Sequence, residues 1–304
     1  MDVFDLAKKV ETEEAALEFA FGLGLVRRSA PECPSCGQLM KWERGIKRRG
    51  VNCIWRCRNK AHARTALSLF DGSILHQFQV PVSVFLKLVY CIAQRMSVKD
   101  AAVNARISPK TVVKIHKFLQ MLMSQFNSQQ KKRIGGPGLV VEIDECHIHS
   151  RKYGVGRLES SELWWVFGGI CRETKEIFVS IVEDRSRSTM AKAIFENIDK
   201  GSFVYSDCWR AYTLLEELNM DLVHKTVNHS QHFVNPTEPD VYTNTIERSW
   251  RSLRENIPLQ IGRDAVESYI EKFMFFHNAG CKDTKSRFDA MIQLCQQFYP
   301  LFDL

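Results

Sequence analysis

Apolar residues recur at helical spacing near both ends of the chain, and short runs rich in β-branched and aromatic residues lie between them. Apolar positions three or four residues apart predict amphipathic helices. This periodicity extends over residues 3–23, 81–126 and 287–302, and further helices are expected to start near Asn244 and Asp264. The two ends of the chain are therefore predicted to be mainly helical.

The middle of the chain has the pattern of short strands separated by polar turns. Runs of β-branched and aromatic residues with partial alternation predict strands. The predicted strands are LVVEIDECHIHS (139–150), LWWVFGGIC (163–171), EIFVSIVED (176–184), SFVYSD (202–207) and DLVHK (221–225), with helices over 188–198 and 209–219. The order βββαβαβα predicts a mixed α+β fold.

Charge, glycine and proline concentrate in residues 129–138, the composition expected of a linker between domains. We therefore predict a boundary between an N-terminal half and a C-terminal half at this segment. The predicted segments are a helical segment (1–30), a Cys-rich segment (31–77), a helical domain (78–128), the linker (129–138), a mixed α+β domain (139–280) and a C-terminal helix (281–304).

Composition narrows the classes of function. No apolar run in the 304 residues approaches the ~18 needed to suggest a membrane span, and no export signal is visible, so we expect no membrane partner. Ten cysteines in such a chain favour reduced thiols or metal ligands over a disulfide framework. The net charge of +7 has the sign expected of a protein that binds polyanions.

Cys33-Pro-Ser-Cys36-Gly is a metal-binding knuckle, because its spacing lets two thiolates bind one tetrahedral Zn²⁺. The candidates for the two remaining ligands are Cys53, Cys57 and His62, of which we favour Cys57 and His62. Such a site is structural, and it holds a basic ribbon whose phosphate-facing residues include Lys47, Arg48 and Arg49. Buried cysteines without a metal are the alternative.

The segment SVKDAAVNARISPKTVVKIHKFLQ (97–120) predicts a helix, a turn and a second helix that starts at Ser108-Pro109. The second helix would bury Val112, Ile115 and Leu119. Its outer face carries Lys110, Thr111 and Lys114, placed to contact DNA if the helix enters a major groove. An ordinary helical hairpin with a basic surface is the alternative.

Three carboxylates are the candidate catalytic residues. Asp144 lies in a predicted strand, Asp207 ends another, and Glu247 lies in the first turn of a helix. This order is typical of an RNase H-like fold, in which such acids hold two divalent cations, and hard oxygen ligands select Mg²⁺ or Mn²⁺. The alternatives are a solvated strand edge around Asp144, a helix cap at Asp207, and a capping box between Asn244 and Glu247.

The motifs IDECHI, EDRSRSTM, SFVYSDCWRAY, NHSQHFVNP and YTNTIERSWRSLR resemble those of the Merlin superfamily of DNA transposases and of related bacterial insertion-sequence transposases. The resemblance implies an RNase H-like core in which Asp144, Asp207 and Glu247 bind metal. It also implies active-site support from Asn244, which would share the role of third ligand with Glu247, and from His229, which would orient a metal-bound water or phosphate. The alternative for His229 is that it only packs. The basic block that follows the third acid, Arg248, Arg251 and Arg254, is expected to contact DNA.

On these grounds residues 31–77 are predicted to form a zinc ribbon, residues 78–128 a helix-turn-helix-like DNA-binding domain and residues 139–280 an RNase H-like catalytic domain. The expected function is that of a DNA transposase, an Mg²⁺-dependent endonuclease and strand transferase acting on terminal repeats. Its expected partners are double-stranded DNA and further copies of the chain, in a homodimer or larger assembly. We expect it in the nucleus if the source is eukaryotic and in the cytoplasm if bacterial. The alternatives are a non-catalytic DNA-binding regulator and an RNase H-like nuclease that does not join DNA.

Overall fold

The computed structural model describes residues 2–43, 54–62, 64–149, 163–207, 220–227, 238–258 and 263–301. The chain divides into two compact units, Met1–Leu122 with Cys281–Leu304, and Met123–Gly280. The finer division into six segments stays a prediction.

The described helices are α1 (Val3–Lys9), α2 (Glu13–Gly22), α3 (Val82–Ala93), α4 (Val98–Ala105), α5 (Pro109–Gln129), α6 (Arg187–Asn197), α7 (Asn244–Asn256), α8 (Arg263–Asn278) and α9 (Thr284–Phe298). The described strands are β1 (Lys41–Glu43), β2 (Ile54–Arg56), β3 (Ala66–Ser68), β4 (Ile134–Gly135), β5 (Val140–His149), β6 (Leu163–Cys171), β7 (Ile177–Val182), β8 (Ile198–Asp199), β9 (Phe203–Asp207) and β10 (Val223–Val227). Within these residues, no helix has the length and apolar character needed to cross a bilayer.

The N-terminal stretch that we predicted to be helical forms two helices. Asp2 caps α1 in a capping box with Asp5, and Thr12 Oγ1 accepts a hydrogen bond from Ala15 N at 3.1 Å to cap α2. Two residues with strong N-capping preference therefore start separate helices, although the apolar spacing continues across the break.

Helix α3 forms the centre of the first unit, with nine of its residues buried. It contacts α2, α4 and α9. The carboxylate of Glu13 on α2 accepts hydrogen bonds from the backbone N–H groups of Val82 (3.0 Å) and Ser83 (3.3 Å) and so caps α3. This cap compensates for the absence of a side-chain cap at Pro81.

Helices α4 and α5 start where the sequence predicts. Ser97 caps α4, and Arg106, with φ of +53°, ends it in the left-handed region. Val112, Ile115 and Leu119 of α5 are buried, as predicted. The outer face of α5 exposes Lys110, Lys114 and Lys117, with Thr111 half-buried. The helical pair is therefore present, and its role in DNA binding stays a prediction.

The second unit is built on a five-stranded sheet with the order β10-β9-β5-β6-β7. Strands β5, β6 and β7 pair antiparallel, whereas β9 and β10 run parallel to β5. Helix α6 packs with the apolar side chains of one face of the sheet, and α7 and α8 pack on the other. This arrangement confirms the mixed α/β class, and the RNase H-like core stays a prediction; the predicted helix over 209–219 lies outside the described residues.

Strand β4 lies within the predicted linker and pairs parallel with β8. Gly135 has φ of +88°, and a Cβ atom at this position would clash with Ser202 Oγ. The same hydroxyl accepts a hydrogen bond from Gly136 N at 2.8 Å. Here the glycines that we interpreted as linker residues allow close backbone packing.

Candidate active site and zinc site

Asp144 and Asp207 lie at equivalent positions on two adjacent parallel strands. The register of β5 and β9 pairs Glu142 with Tyr205, and two residues further along each strand lie Asp144 and Asp207. Side chains two residues apart on a strand point to the same face. The structure therefore brings the two predicted strand acids together on one face of the sheet.

The Asp144 carboxylate is partly buried and lies near other negatively charged groups. Burial is the main cause that raises the pKa of Asp144 to about 7, and the charges of Glu145 and Asp207 raise it further. The indole Nε1 of Trp250 donates a hydrogen bond of 2.9 Å to Asp144 Oδ2, and this bond lowers the pKa of Asp144. Because proton and cation compete for such a carboxylate, a bound cation favours its ionised form.

The helix that carries the third acid is held to the same strand by Glu142. The side chain of Glu142 is fully buried. Its carboxylate accepts hydrogen bonds from Thr245 N (2.8 Å), Thr245 Oγ1 (2.8 Å) and Ile246 N (3.0 Å) at the start of α7. The residue before α7, Thr243, makes no side-chain cap. The capping-box interpretation of Glu247 is therefore wrong, because a carboxylate from the sheet caps this helix.

Arg172 neutralises Glu142 and fixes the segment that leads into α7. Its Nε lies 2.6 Å from Glu142 Oε1. Its two terminal nitrogens donate to the carbonyl oxygens of Asp240 (2.7 Å) and Tyr242 (2.6 Å). The guanidinium carbon lies 3.6 Å from the centre of the Tyr242 ring and 4.9 Å from that of Tyr205. One arginine thus joins the sheet to the backbone before α7.

Glu247 lies between the two points at which α7 is fixed to β5. It directly follows Ile246, whose N–H bonds Glu142, and it precedes Trp250, which bonds Asp144, by three residues. Its side chain is exposed and accepts a hydrogen bond from Thr243 Oγ1 at 3.3 Å. The first turns of α7, which carry Glu247, are therefore held against the strand that carries Asp144.

The solvated-edge interpretation of the residues beside Asp144 is also wrong. Glu145 points to the opposite face of β5, where its side chain is 3% exposed and lies 2.5 Å from Arg185. The guanidinium of Arg185 lies 4.4 Å from the centre of the Trp165 ring. Both flanking glutamates are therefore buried in ion pairs, and Asp144 is the acid of this strand that faces Asp207.

The other predicted site residues fall into two groups. Arg248, Arg251 and Arg254 are exposed on α7, and Asn244 is half-buried at its start. His229, Lys47, Arg48, Arg49 and Cys53 lie outside the described residues.

The structure brings the four favoured zinc ligands together. The ligand atoms of Cys33, Cys36, Cys57 and His62 all lie within 4.8 Å of one another, and Cys36 Sγ lies 3.5 Å from Cys57 Sγ. Three sulfur atoms and one imidazole nitrogen form a donor set that suits tetrahedral Zn²⁺.

Local backbone geometry shapes this cluster. Gly37 has φ of +69° and donates its N–H to Cys33 O at 2.8 Å, which closes the knuckle. Cys57 directly follows β2, the middle strand of a small antiparallel sheet, and His62 ends a short helical turn. His62 Nδ1 is buried and makes no hydrogen bond within the described segments. A buried nitrogen without a hydrogen bond fits a metal ligand.

We expect the purified protein to contain about one tightly bound Zn²⁺ per chain, because structural sites of this kind couple metal binding to folding. Cys36→Ser should remove the zinc and lower the melting temperature, as measured by elemental analysis and calorimetry. Cys281→Ser, a half-buried thiol outside the cluster, is the matched control. Unchanged zinc content and stability in Cys36→Ser would contradict the assignment.

Comparisons with known proteins give one family match and several solved structures of low similarity. No curated protein matches the chain. Among solved structures, the HTLV-2 integrase catalytic core domain in complex with magnesium (dimeric form) has a TM-score of 0.29 and 14% identity, covering 46% of this chain and 86% of that chain. A simian T-cell lymphotropic virus intasome in complex with PP2A regulatory subunit B56 gamma has a TM-score of 0.28 and 11% identity, covering 60% of this chain and 66% of that chain.

A family comparison covers the strands and helices that carry the three acids. Residues 135–278 match the family described as ISXO2-like transposase domain. The chain is therefore similar to this family over the segment that carries Asp144, Asp207 and Glu247.

Proposed function

We propose that this chain is a DNA transposase that cleaves DNA at transposon ends and joins the 3′ ends to target DNA. The observation that carries the proposal is the meeting of Asp144, Asp207 and the start of α7 on one face of the sheet. The transposase-domain match over residues 135–278 supports it. We also propose that the chain is related to the Merlin superfamily of DNA transposases in particular.

In the proposal, Asp144, Asp207 and Glu247 are the catalytic residues and hold two divalent cations, Mg²⁺ or Mn²⁺. Three carboxylates fit such ions because both prefer hard oxygen ligands. When bound, the cations stabilise the charge on the entering and leaving oxygens of the phosphodiester exchange.

The exposed arginines of α7 have a separate role in the proposal. Arg248 is the residue after Glu247, and Arg251 follows one turn later on the same helix. Both are exposed, and they can hold the scissile phosphate in place. Asn244 and His229 are proposed to support the acids. The partner is double-stranded DNA, bound by a homodimer or larger assembly, in the nucleus of a eukaryotic source or the cytoplasm of a bacterial one.

The first unit is proposed to recognise the transposon ends. The zinc cluster stabilises a small ribbon with a basic segment that includes Lys47, Arg48 and Arg49. Helix α5 presents Lys110, Thr111 and Lys114 on the face opposite its buried side chains. Such a face can contact base edges and phosphates in a major groove.

We expect Lys110→Ala and Lys114→Ala to weaken binding of end DNA by the full-length protein. Loss of a base contact costs about 1–3 kcal/mol and relaxes the sequence preference, whereas loss of a phosphate contact weakens binding to all sequences and reduces the salt dependence. Fluorescence anisotropy titrations at several salt concentrations measure both effects. Lys8→Ala, also an exposed lysine of the first unit, is the control, and equal affinities for all three variants and the native protein would contradict this role.

The proposed function is tested with the DNA segments that flank the coding sequence in its genome. The protein is incubated with labelled flanking DNA, Mg²⁺ and a target plasmid, and the cut and joined products are sequenced. A transposase yields cuts at defined ends and joined 3′ ends. Cuts without joined products would indicate a nuclease, and specific binding without any cut would indicate a DNA-binding regulator.

A further inference from the structure

Trp250 lies inside the candidate active site but is not one of its acids. It is on α7, one helical turn after Glu247, and is 3% exposed. Its indole Nε1 donates a hydrogen bond of 2.9 Å to Asp144 Oδ2. A hydrogen bond to an ionised carboxylate is stronger than one between neutral groups, and this bond constrains the rotation of the carboxylate.

The sheet leaves space for the indole ring. Gly168 on β6 is the direct cross-strand partner of Asp144. A Cβ atom at Gly168 would lie 2.6 Å from Trp250 Cη2 and 2.6 Å from the carbonyl oxygen of Phe178. Because any side chain at this position would meet the ring, the strand next to Asp144 is shaped around Trp250.

The helix is also fixed on the other side of Glu247. Glu142 holds the N–H groups of Thr245 and Ile246, one turn before Trp250. The two attachments, at Glu142 and at Asp144, hold the same helix to the same strand. Trp250 therefore connects the position of Glu247 with the orientation of the Asp144 carboxylate.

We propose that Trp250 is a positioning residue of the active site: its N–H holds Asp144 Oδ2, so that the other oxygen of this carboxylate, Oδ1, is the one presented to a divalent cation. The inference rests on the proposed function, since it assigns Asp144 as a metal ligand. Residues that orient metal ligands in this way typically change metal affinity or activity by roughly 10–100-fold when they are replaced.

The test compares Trp250→Phe with the native full-length protein. Phenylalanine keeps an aromatic ring but removes the N–H donor. We expect the Mn²⁺ concentration that gives half-maximal thermal stabilisation to rise roughly 10–100-fold and single-turnover cleavage of flanking DNA to slow by a similar factor. Tyr269→Phe, which also removes a polar hydrogen from a partly buried aromatic side chain of the second unit, is the matched control and should change neither quantity.

Two outcomes would overturn the inference. One is an unchanged Mn²⁺ requirement and cleavage rate in Trp250→Phe. The other is a lower melting temperature of the metal-free protein with an unchanged Mn²⁺ requirement, because that result indicates packing alone. If the phenylalanine variant does not fold, benzothienylalanine at position 250 keeps the bicyclic ring while removing the donor, and the same two quantities decide.

Asp144→Asn separates this inference from the proposed function. It should abolish both the Mn²⁺-dependent stabilisation and the cleavage. If Asp144→Asn binds Mn²⁺ and cleaves as the native protein does, the proposed active site is wrong. If Asp144→Asn is inactive and Trp250→Phe is unaffected, only the positioning role of Trp250 is wrong.

Discussion

Asp144→Asn, Asp207→Asn and Glu247→Gln should each reduce DNA cleavage at least about a thousandfold. A divalent cation contributes several kcal/mol of transition-state stabilisation, and about 4 kcal/mol corresponds to a thousandfold change in rate. Each amide keeps the size of the native side chain but removes a negative charge from the group that would bind the cation. Single-turnover assays on labelled flanking DNA with saturating Mg²⁺ measure the loss.

Two comparisons show whether the loss comes from the metal site. Glu255→Gln changes another exposed acid of α7 and should cleave at the native rate. Affinity for flanking DNA should stay close to native in the three acid variants, because these acids hold metal rather than duplex. Native cleavage by Asp144→Asn or Asp207→Asn contradicts their assignment as metal ligands.

Glu142→Gln should lower the free energy of unfolding of the second unit by about 3–5 kcal/mol, the usual effect of removing one partner from a buried ion pair. The carboxylate is fully buried, and the Arg172 side chain is 14% exposed. The substitution leaves the Arg172 charge buried beside a neutral group, and it removes an anionic cap from the start of α7. Urea denaturation followed by intrinsic fluorescence measures the change.

A surface ion pair is the matched control. Glu196→Gln removes one partner of the ion pair between Glu196 and Lys192, whose side chains are 45% and 77% exposed, respectively. Pairs of this kind contribute about 0.3–0.5 kcal/mol to the free energy of unfolding. A similar small loss in Glu142→Gln would show that the ion pair does not hold the helix. Because Glu142 holds α7, we also expect slower cleavage in this variant at temperatures where it remains folded.

The sequence allowed the two aspartates to be predicted because each sits in a short, recognisable strand. Alternation with Val141 and Ile143 predicts that Asp144 points away from these apolar neighbours, and the structure agrees, since both are buried in the core on the side of α6. The zinc cluster was predictable for a similar reason. The spacing of Cys33 and Cys36 is a local signal, and its partners lie at the distance usual for paired knuckles.

The residues that hold the site together were not predictable from local pattern. Glu142 bonds Arg172 30 residues away and Thr245 103 residues away, and Asp144 bonds Trp250 106 residues away. Nothing in the spacing of these residues indicates that they meet, and alternation gives Glu142 and Asp144 the same face. The different environments of these two acids arise from Arg172 and α7, which only the tertiary structure brings to the strand.

Glu247 shows how a local motif can mislead. Asn244-Thr-Ile-Glu247 fits a capping box in sequence, but the donors at the start of α7 are bound by Glu142. The Glu247 side chain is therefore not needed to cap its own helix. The same local sequence is compatible with a cap and with a catalytic acid, and the long-range hydrogen bonds of Glu142 replace the cap. The catalytic role of Glu247 stays a prediction.

Cleavage of the polypeptide by bound iron tests the central claim most directly, because it locates a divalent cation without knowledge of the DNA ends. Fe²⁺ replaces Mg²⁺ in the full-length protein, ascorbate and peroxide generate radicals at the bound ion, and mass spectrometry maps the cuts. We predict cuts beside Asp144, Asp207 and Glu247 that excess Mg²⁺ suppresses and that Asp207→Asn lacks. The absence of cuts at these three positions, or their persistence in Asp207→Asn, would contradict the proposal that these acids form one metal site.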